Sequence, residues 1–173
     1  MRIRLLLILI TFCFLSCKQS STDYALNWST NIKNKILEDS NIPVDSTNID
    51  TSKSNLNEVT FYSKGIRTKL FRINKSTSDT VLSIFYSKDQ NFEIVRELCS
   101  VIERSFEGIR YKGKHLGLAE FRFCDGKLKE QGYRIGRNVG VWKEWDESGK
   151  VIKETDNGNI EKLDELKTIK YYR

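Results

Sequence analysis

The chain of 173 residues predicts an α+β fold: an antiparallel β meander of stacked hairpins with one packed amphipathic helix and an N-terminal helix. Three observations carry this. Gly-x3-Gly-x8-Gly occurs twice near the C-terminus, as Gly113, Gly117, Gly126 and, 23 residues on, Gly136, Gly140, Gly149. Glycine supplies positive φ and close backbone approach, so fixed spacing means a turn that recurs. Apolar residues alternate with polar ones after Gly108, the period of a half-buried strand. Two earlier stretches instead space their apolar residues as a helix does.

The first element is a leader. Met1-Arg2-Ile3-Arg4 is basic, and Leu5 to Leu15 is apolar apart from Thr11. Eleven helical residues reach about 16 Å, roughly half of a hydrocarbon core, so the run has the layout of a secretory signal and not of a span. It ends in Phe14-Leu15-Ser16-Cys17 before a polar Lys18-Gln19-Ser20-Ser21. A small residue before a cysteine at the end of a short apolar run resembles a bacterial lipobox, with Phe14 standing where leucine is usual. The resemblance implies a signal peptide over 1–16, lipidation of Cys17 and a lipid anchor in the cell envelope, at the outer membrane, with the folded part outside the cytoplasm. An ordinary secretory signal with Cys17 incidental is the plainer alternative.

Residues 17–56 are expected to hold a tether, the N-terminal helix and a linker. Ala25, Trp28, Ile32 and Ile36 follow helical spacing between Asp23 and Asp39. The stretch 39–57 is rich in Ser, Asp, Asn and Thr, contains the only proline, Pro43, and reads as a loop.

A small α+β region is expected over 57–110. Glu58–Tyr62 and Ile66–Ile73 flank a Ser63-Lys64-Gly65 turn and predict a hairpin, and Thr80–Tyr86 a third strand. Phe92, Val95, Cys99, Ile102 and Phe106 fall at i, i+3, i+7, i+10 and i+14, which predicts a core helix over 89–106.

Hairpin repeats are expected over 111–158. Asp125-Gly126 marks a hairpin apex, and Val139–Trp145 pairs with Lys150–Thr155 through Asp146–Gly149. The tail, 159–173, reads two ways: Ile160, Leu163 and Leu166 suit a helical turn, and Thr168–Tyr172 a strand.

Within the repeats, Gly136, Gly140, Trp142, Trp145, Gly149, Lys150 and Glu154 resemble the bacterial variant of the MORN repeat, found in YwqK-type antitoxins. The preceding copy keeps Gly113, Gly117, Gly126 and Lys127 but has Ala119 and Arg122 where the tryptophans stand. The resemblance covers less than a third of the chain and implies stacked hairpins that bind or scaffold. Trp142 and Trp145 have opposite parity, so one should be core and the other partly exposed. An exposed tryptophan beside Lys143 and Arg137 would anchor a protein partner; packing between successive hairpins is the plainer role for both rings.

Chemistry is scarce in this inventory. The single histidine, His115, lies between two repeat glycines and reads as an exposed loop residue with no nucleophile beside it. Cys99 and Cys124 lack metal-ligand spacing, and no metal or cofactor is expected. They could form a disulfide in an oxidising compartment, but two buried thiols are the expectation. The net charge of +6 falls to +4 without Arg2 and Arg4, is spread along the chain, and does not point to nucleic acid. No catalytic residue is expected. The function predicted is a non-enzymatic, lipid-anchored protein-binding module of the envelope, with a toxin-like or envelope protein as partner and immunity as its concrete version. The alternative is a structural envelope protein that binds lipid or polysaccharide through the repeat sheet.

Overall fold

A computed structural model describes residues 20–99 and 104–171. The leader, Cys17 and the last residues of the tail lie outside the described residues. No described helix is long and apolar enough to cross a membrane.

Helix α1 (Ser21–Ser40) opens the described chain. The Ser20 hydroxyl caps it by accepting from the Asp23 backbone N–H at 3.1 Å, and Asp23 adds negative charge to the first turn. Its buried residues include Ala25, Trp28, Ile32 and Ile36, the stripe expected from spacing.

Ten strands follow: β1 (Ser46–Asp50), β2 (Leu56–Ser63), β3 (Ile66–Asn74), β4 (Thr80–Tyr86), β5 (Phe92–Glu97), β6 (Arg104–Tyr111), β7 (Lys114–Phe123), β8 (Leu128–Ile135), β9 (Arg137–Trp145) and β10 (Val151–Asp156). They form one antiparallel sheet in chain order, so each strand pairs with its sequence neighbours. A 3-10 helix (Ile160–Thr168) closes the fold and buries Leu163 and Leu166; no strand follows it among the described residues.

Two expected elements need correction. The segment 89–106 is not a helix: Phe92–Glu97 is β5, and Arg104 begins β6. Phe92 and Ile94 face one side and Val95 the other, and all three are fully buried. A strand covered on both faces loses its period of two, and its apolar run then imitates helical spacing. The packed helix of the fold is therefore α1. The presumed linker also contains a strand, β1, whose polar residues are mostly exposed at the sheet edge and carry no apolar alternation.

The six repeat glycines all have φ between 62° and 88°. Four of them lie at turns with open space around the α-carbon, whereas Gly117 and Gly140 lie inside β7 and β9. Each of these two strands is irregular there: Gly117 and Leu118 have no counterpart on β6, and β9 breaks register with β8 across Gly140. A β-carbon on Gly117 would stand 2.4 Å from Ser29 Oγ and 3.0 Å from the Trp28 ring; one on Gly140 would stand 2.4 Å from Ile160 Cδ1. The second glycine of each repeat is thus where a helix docks, α1 on the first and the 3-10 helix on the second. The irregular strand frees the Leu118 N–H, which donates to Ser29 Oγ at 2.8 Å.

Both helices lie on one face of the sheet. Ala25, Trp28, Ile32 and Ile36 of α1 and Leu163 and Leu166 share a core with Phe92, Ile94, Ile109, Leu116 and Val139. Cys99 and Cys124 are joined as a disulfide with Cα atoms 5.5 Å apart, which corrects the expectation of two thiols. Pairing of Arg104 with Phe123 brings the β5–β6 connection to the end of β7, a proximity that only the register determines.

Gly117→Ala should cost about 2 to 5 kcal/mol, the sum of a positive-φ penalty and overpacking against α1. Gly113→Ala, with open space around it, should cost about 1 to 2 kcal/mol. Chemical denaturation of both variants tests this, and equal losses would refute the docking role.

Candidate functional site

A second apolar layer occupies the other face: Leu70, Leu82, Ile84, Tyr86, Val95, Phe106, Ala119, Phe121 and Trp142. No helix residue joins it. Strand alternation puts these residues opposite the helix-covered core, and long charged side chains from neighbouring strands provide the cover. The Arg67 guanidinium lies 4.1 Å from the Tyr86 ring centroid, and Arg104 lies 4.6 Å from that of Phe121. Arg134 is central to three rings, at 5.4 Å from Trp142, 5.7 Å from Phe121 and 5.8 Å from Phe106. Burial draws its pKa below the usual arginine value.

Ion pairs cross this face between strands. Arg72 bonds Glu58 at 2.9 Å, Arg104 bonds Glu130 at 3.0 Å, and Arg110 lies 3.8 Å from Glu93. On the helix-covered face, Lys33 of α1 and Arg96 both meet Glu107. Burial raises the Glu107 pKa, but the two cations outweigh it and hold the carboxyl below its ordinary value.

His115 stands on this open face within β7, not on an exposed loop as expected, because the turn is completed earlier at Lys112-Gly113, both at positive φ. Its ring packs edge-on to Phe106 at 5.3 Å, and Nε2 accepts from Arg110 Nε at 3.3 Å. That contact leaves the proton on Nδ1, which is buried without a partner. Desolvation first, then Arg110 and Arg134, lower its pKa to about 4.

The four residues expected to bind do not converge. Trp142, only 6% exposed, lies over Gly132 on the open face, where a β-carbon would come within 2.0 Å of its ring. Lys143 and Trp145 face the opposite side, and Lys143 pairs with Glu154 at 2.9 Å. Arg137 is exposed at the Gly136 bend. There it lines a cleft of about 670 Å³ with Lys112, Lys114, Tyr111, Leu116 and Ile169. The residues missed by sequence reasoning are Arg134, Arg104 and Phe106. Their signal was present in part: arginines and aromatics occur at same-face spacing along β6 to β8. Among the described residues no group of three or more His, Cys, Asp or Glu could hold a metal.

No family model matches the chain, and no curated relative matches it in sequence. The solved structure of TarM is similar over 75% of this chain and 24% of that chain, at 12% identity and a TM-score of 0.33. A likeness of that degree carries no argument about this site.

His115 gives a pH signature. Its folded pKa is below the unfolded value of 6.5, so its neutral form contributes stability above that pH, lost as pH falls from about 6.5 towards 4. With allowance for solvent screening the loss is on the order of 1–2 kcal/mol. Stability of His115→Gln, measured by denaturant titration at several pH values, should lack this increment; identical pH profiles would refute it.

Proposed function

We propose that this protein is a lipid-anchored envelope module that holds a protein partner, without catalysis, on the open face of its sheet. The observation that carries the reading is a layer of nine apolar residues that no described helix covers, kept from water instead by a surface of arginines and other charged side chains. Its rings and arginines have the composition of interface anchors. One face of the sheet packs against two described helices, and the other turns the charged side chains that cover its apolar layer to the outside. The lipobox-like Cys17 supplies the anchor in this reading, and the MORN-like repeats favour a toxin-like partner that is neutralised at the envelope.

A second reading, binding of envelope lipid or polysaccharide, is favoured by the cleft at Arg137. None of Lys112, Lys114 and Arg137 is in an ion pair among the described residues, and the cleft carries one acid, Glu165.

Photoreactive residues at Glu97 or Lys153 on the open face should give a protein adduct in whole cells. The same probes at Leu26 or Glu165 on the helix-covered side should give none. Adducts confined to the helix side would refute the reading. Lipid or glycan adducts from position 114, with no protein adduct on the open face, would establish the second one. Cys17→Ser should move the protein out of the membrane fraction; retention there would overturn the anchor.

A further inference from the structure

The hairpin β6–β7 and the hairpin β8–β9 repeat one arrangement of side chains. In the first, Arg110 faces His115 across the turn and donates Nε–H to it at 3.3 Å. In the second, Arg134 faces Asn138, 23 residues after His115, and donates Nε–H to Asn138 Oδ1 at 3.1 Å. The two arginines differ on their other flank. Arg110 pairs in register with Glu93 of β5, and the two groups lie 3.8 Å apart. The register partner of Arg134 on β7 is Gly117, which has no side chain. The nearest acid in the sequence of β8, Glu130, is bonded to Arg104 at 3.0 Å and acts on Arg134 through its charge, without a hydrogen bond to it.

Arg134 therefore has four N–H donors with no acceptor among the described residues, while its guanidinium lies within 6 Å of three ring centroids. A side chain at position 117 would not reach Arg134, because a β-carbon there points at Ser29 and Trp28 of α1 on the covered face. A guanidinium fork is matched in shape and charge by a carboxylate, which it binds through two parallel hydrogen bonds. Partial desolvation by the rings strengthens such a pair, and the ring floor adds cation–π attraction that keeps the fork in place.

We propose that Arg134 is the anchor of the open face and that it takes an acidic side chain of a protein partner, in the position that Glu93 fills for Arg110. This inference rests on the binding role proposed for that face and names its chemistry. The group recognised is an aspartate or glutamate carboxylate, seated against Phe106, Phe121 and Trp142.

The test uses the full chain in nonionic detergent, with NMR detection of the Arg134 Nε–Hε and Trp142 indole resonances. Three probes are titrated: the blocked tripeptide acetyl-Ala-Asp-Ala-amide, its Asn counterpart, and inorganic phosphate. The Asp peptide should shift both resonances saturably, and the Asn peptide should not. Arg134→Lys, which keeps the charge but loses the fork, should weaken binding about ten-fold, and Arg134→Gln should abolish the Trp142 shift. A thermal melt of each variant checks folding, and the lysine variant serves if the glutamine variant fails to fold. Equal shifts from Asp and Asn peptides, no shift from either, or phosphate binding as tightly as the Asp peptide would each overturn the carboxylate assignment. Protein adducts on the open face together with a silent Arg134 would keep the binding role and remove this anchor. Peptide binding with no adduct would keep the anchor and remove the role.

Discussion

The fold depends on the approach of a helix to a strand at a residue without a side chain. At Gly117 the Ser29 hydroxyl and the Trp28 ring of α1 come so close to β7 that a β-carbon would collide with the hydroxyl. The irregularity of β7 at that point removes Leu118 N–H from the ladder, and Ser29 Oγ accepts from it while donating to Ala25 O at 2.7 Å. One hydroxyl thus satisfies a freed donor and fixes the depth of the helix, which sets Ala25, Ile32 and Ile36 into the core. The same solution recurs at Gly140, where Ile160 closes over the glycine and the Gly140 N–H donates to Gly158 O at 2.8 Å.

Because both docking points use the same face, the protein has a covered side and an open side. A ten-stranded meander buried on one face would ordinarily be polar on the other. Here the open side carries its own apolar layer, kept from water by arginine stems and rings. Cation–π contacts and cross-strand ion pairs each contribute modestly, roughly 0.5–1 kcal/mol at such half-exposed positions. Their number, not the strength of any one, keeps the layer in place.

Legibility in the sequence followed chemical distinctiveness. The glycine frame, the Lys64-Gly65 and Asp125-Gly126 turns, and the stripe of α1 were readable because only one backbone conformation suits each pattern. The stretch 89–106 was not, since β5 is buried on both sides and its Phe92, Ile94 and Val95 obey helical and extended spacing alike. β1 carried no pattern, because an exposed edge strand needs none. Of the expected binding residues, only Trp142 faces the open side; parity separated it from Trp145 correctly, but nothing in the sequence told which face the helices would take. His115 was misplaced for a simple reason: a two-residue turn ends sooner than a loop. Arg134 was hidden because its distinction lies in its neighbours across the sheet, three rings and no hydrogen-bonded acid.

That last point joins the two halves of the molecule. The glycine required for helix docking is also the register partner of Arg134, and because a β-carbon there would point at α1, the covered side is completed at this position without adding any group to the open one. In the preceding hairpin the register partner is Glu93, α1 has no need of that position, and Arg110 is neutralised within the fold. A glutamate at position 117 would displace α1 and would still not reach Arg134. A repeat with glycine at both register positions would leave two arginines open and Arg110 with only His115 beside it. The observed pair, one ion-paired and one without a hydrogen-bonded acid, leaves one guanidinium fork open above a buried aromatic layer. In the proposed role, recognition then needs one acid in the partner beside that fork, and the remaining contacts fall on the charged side chains that cover the layer.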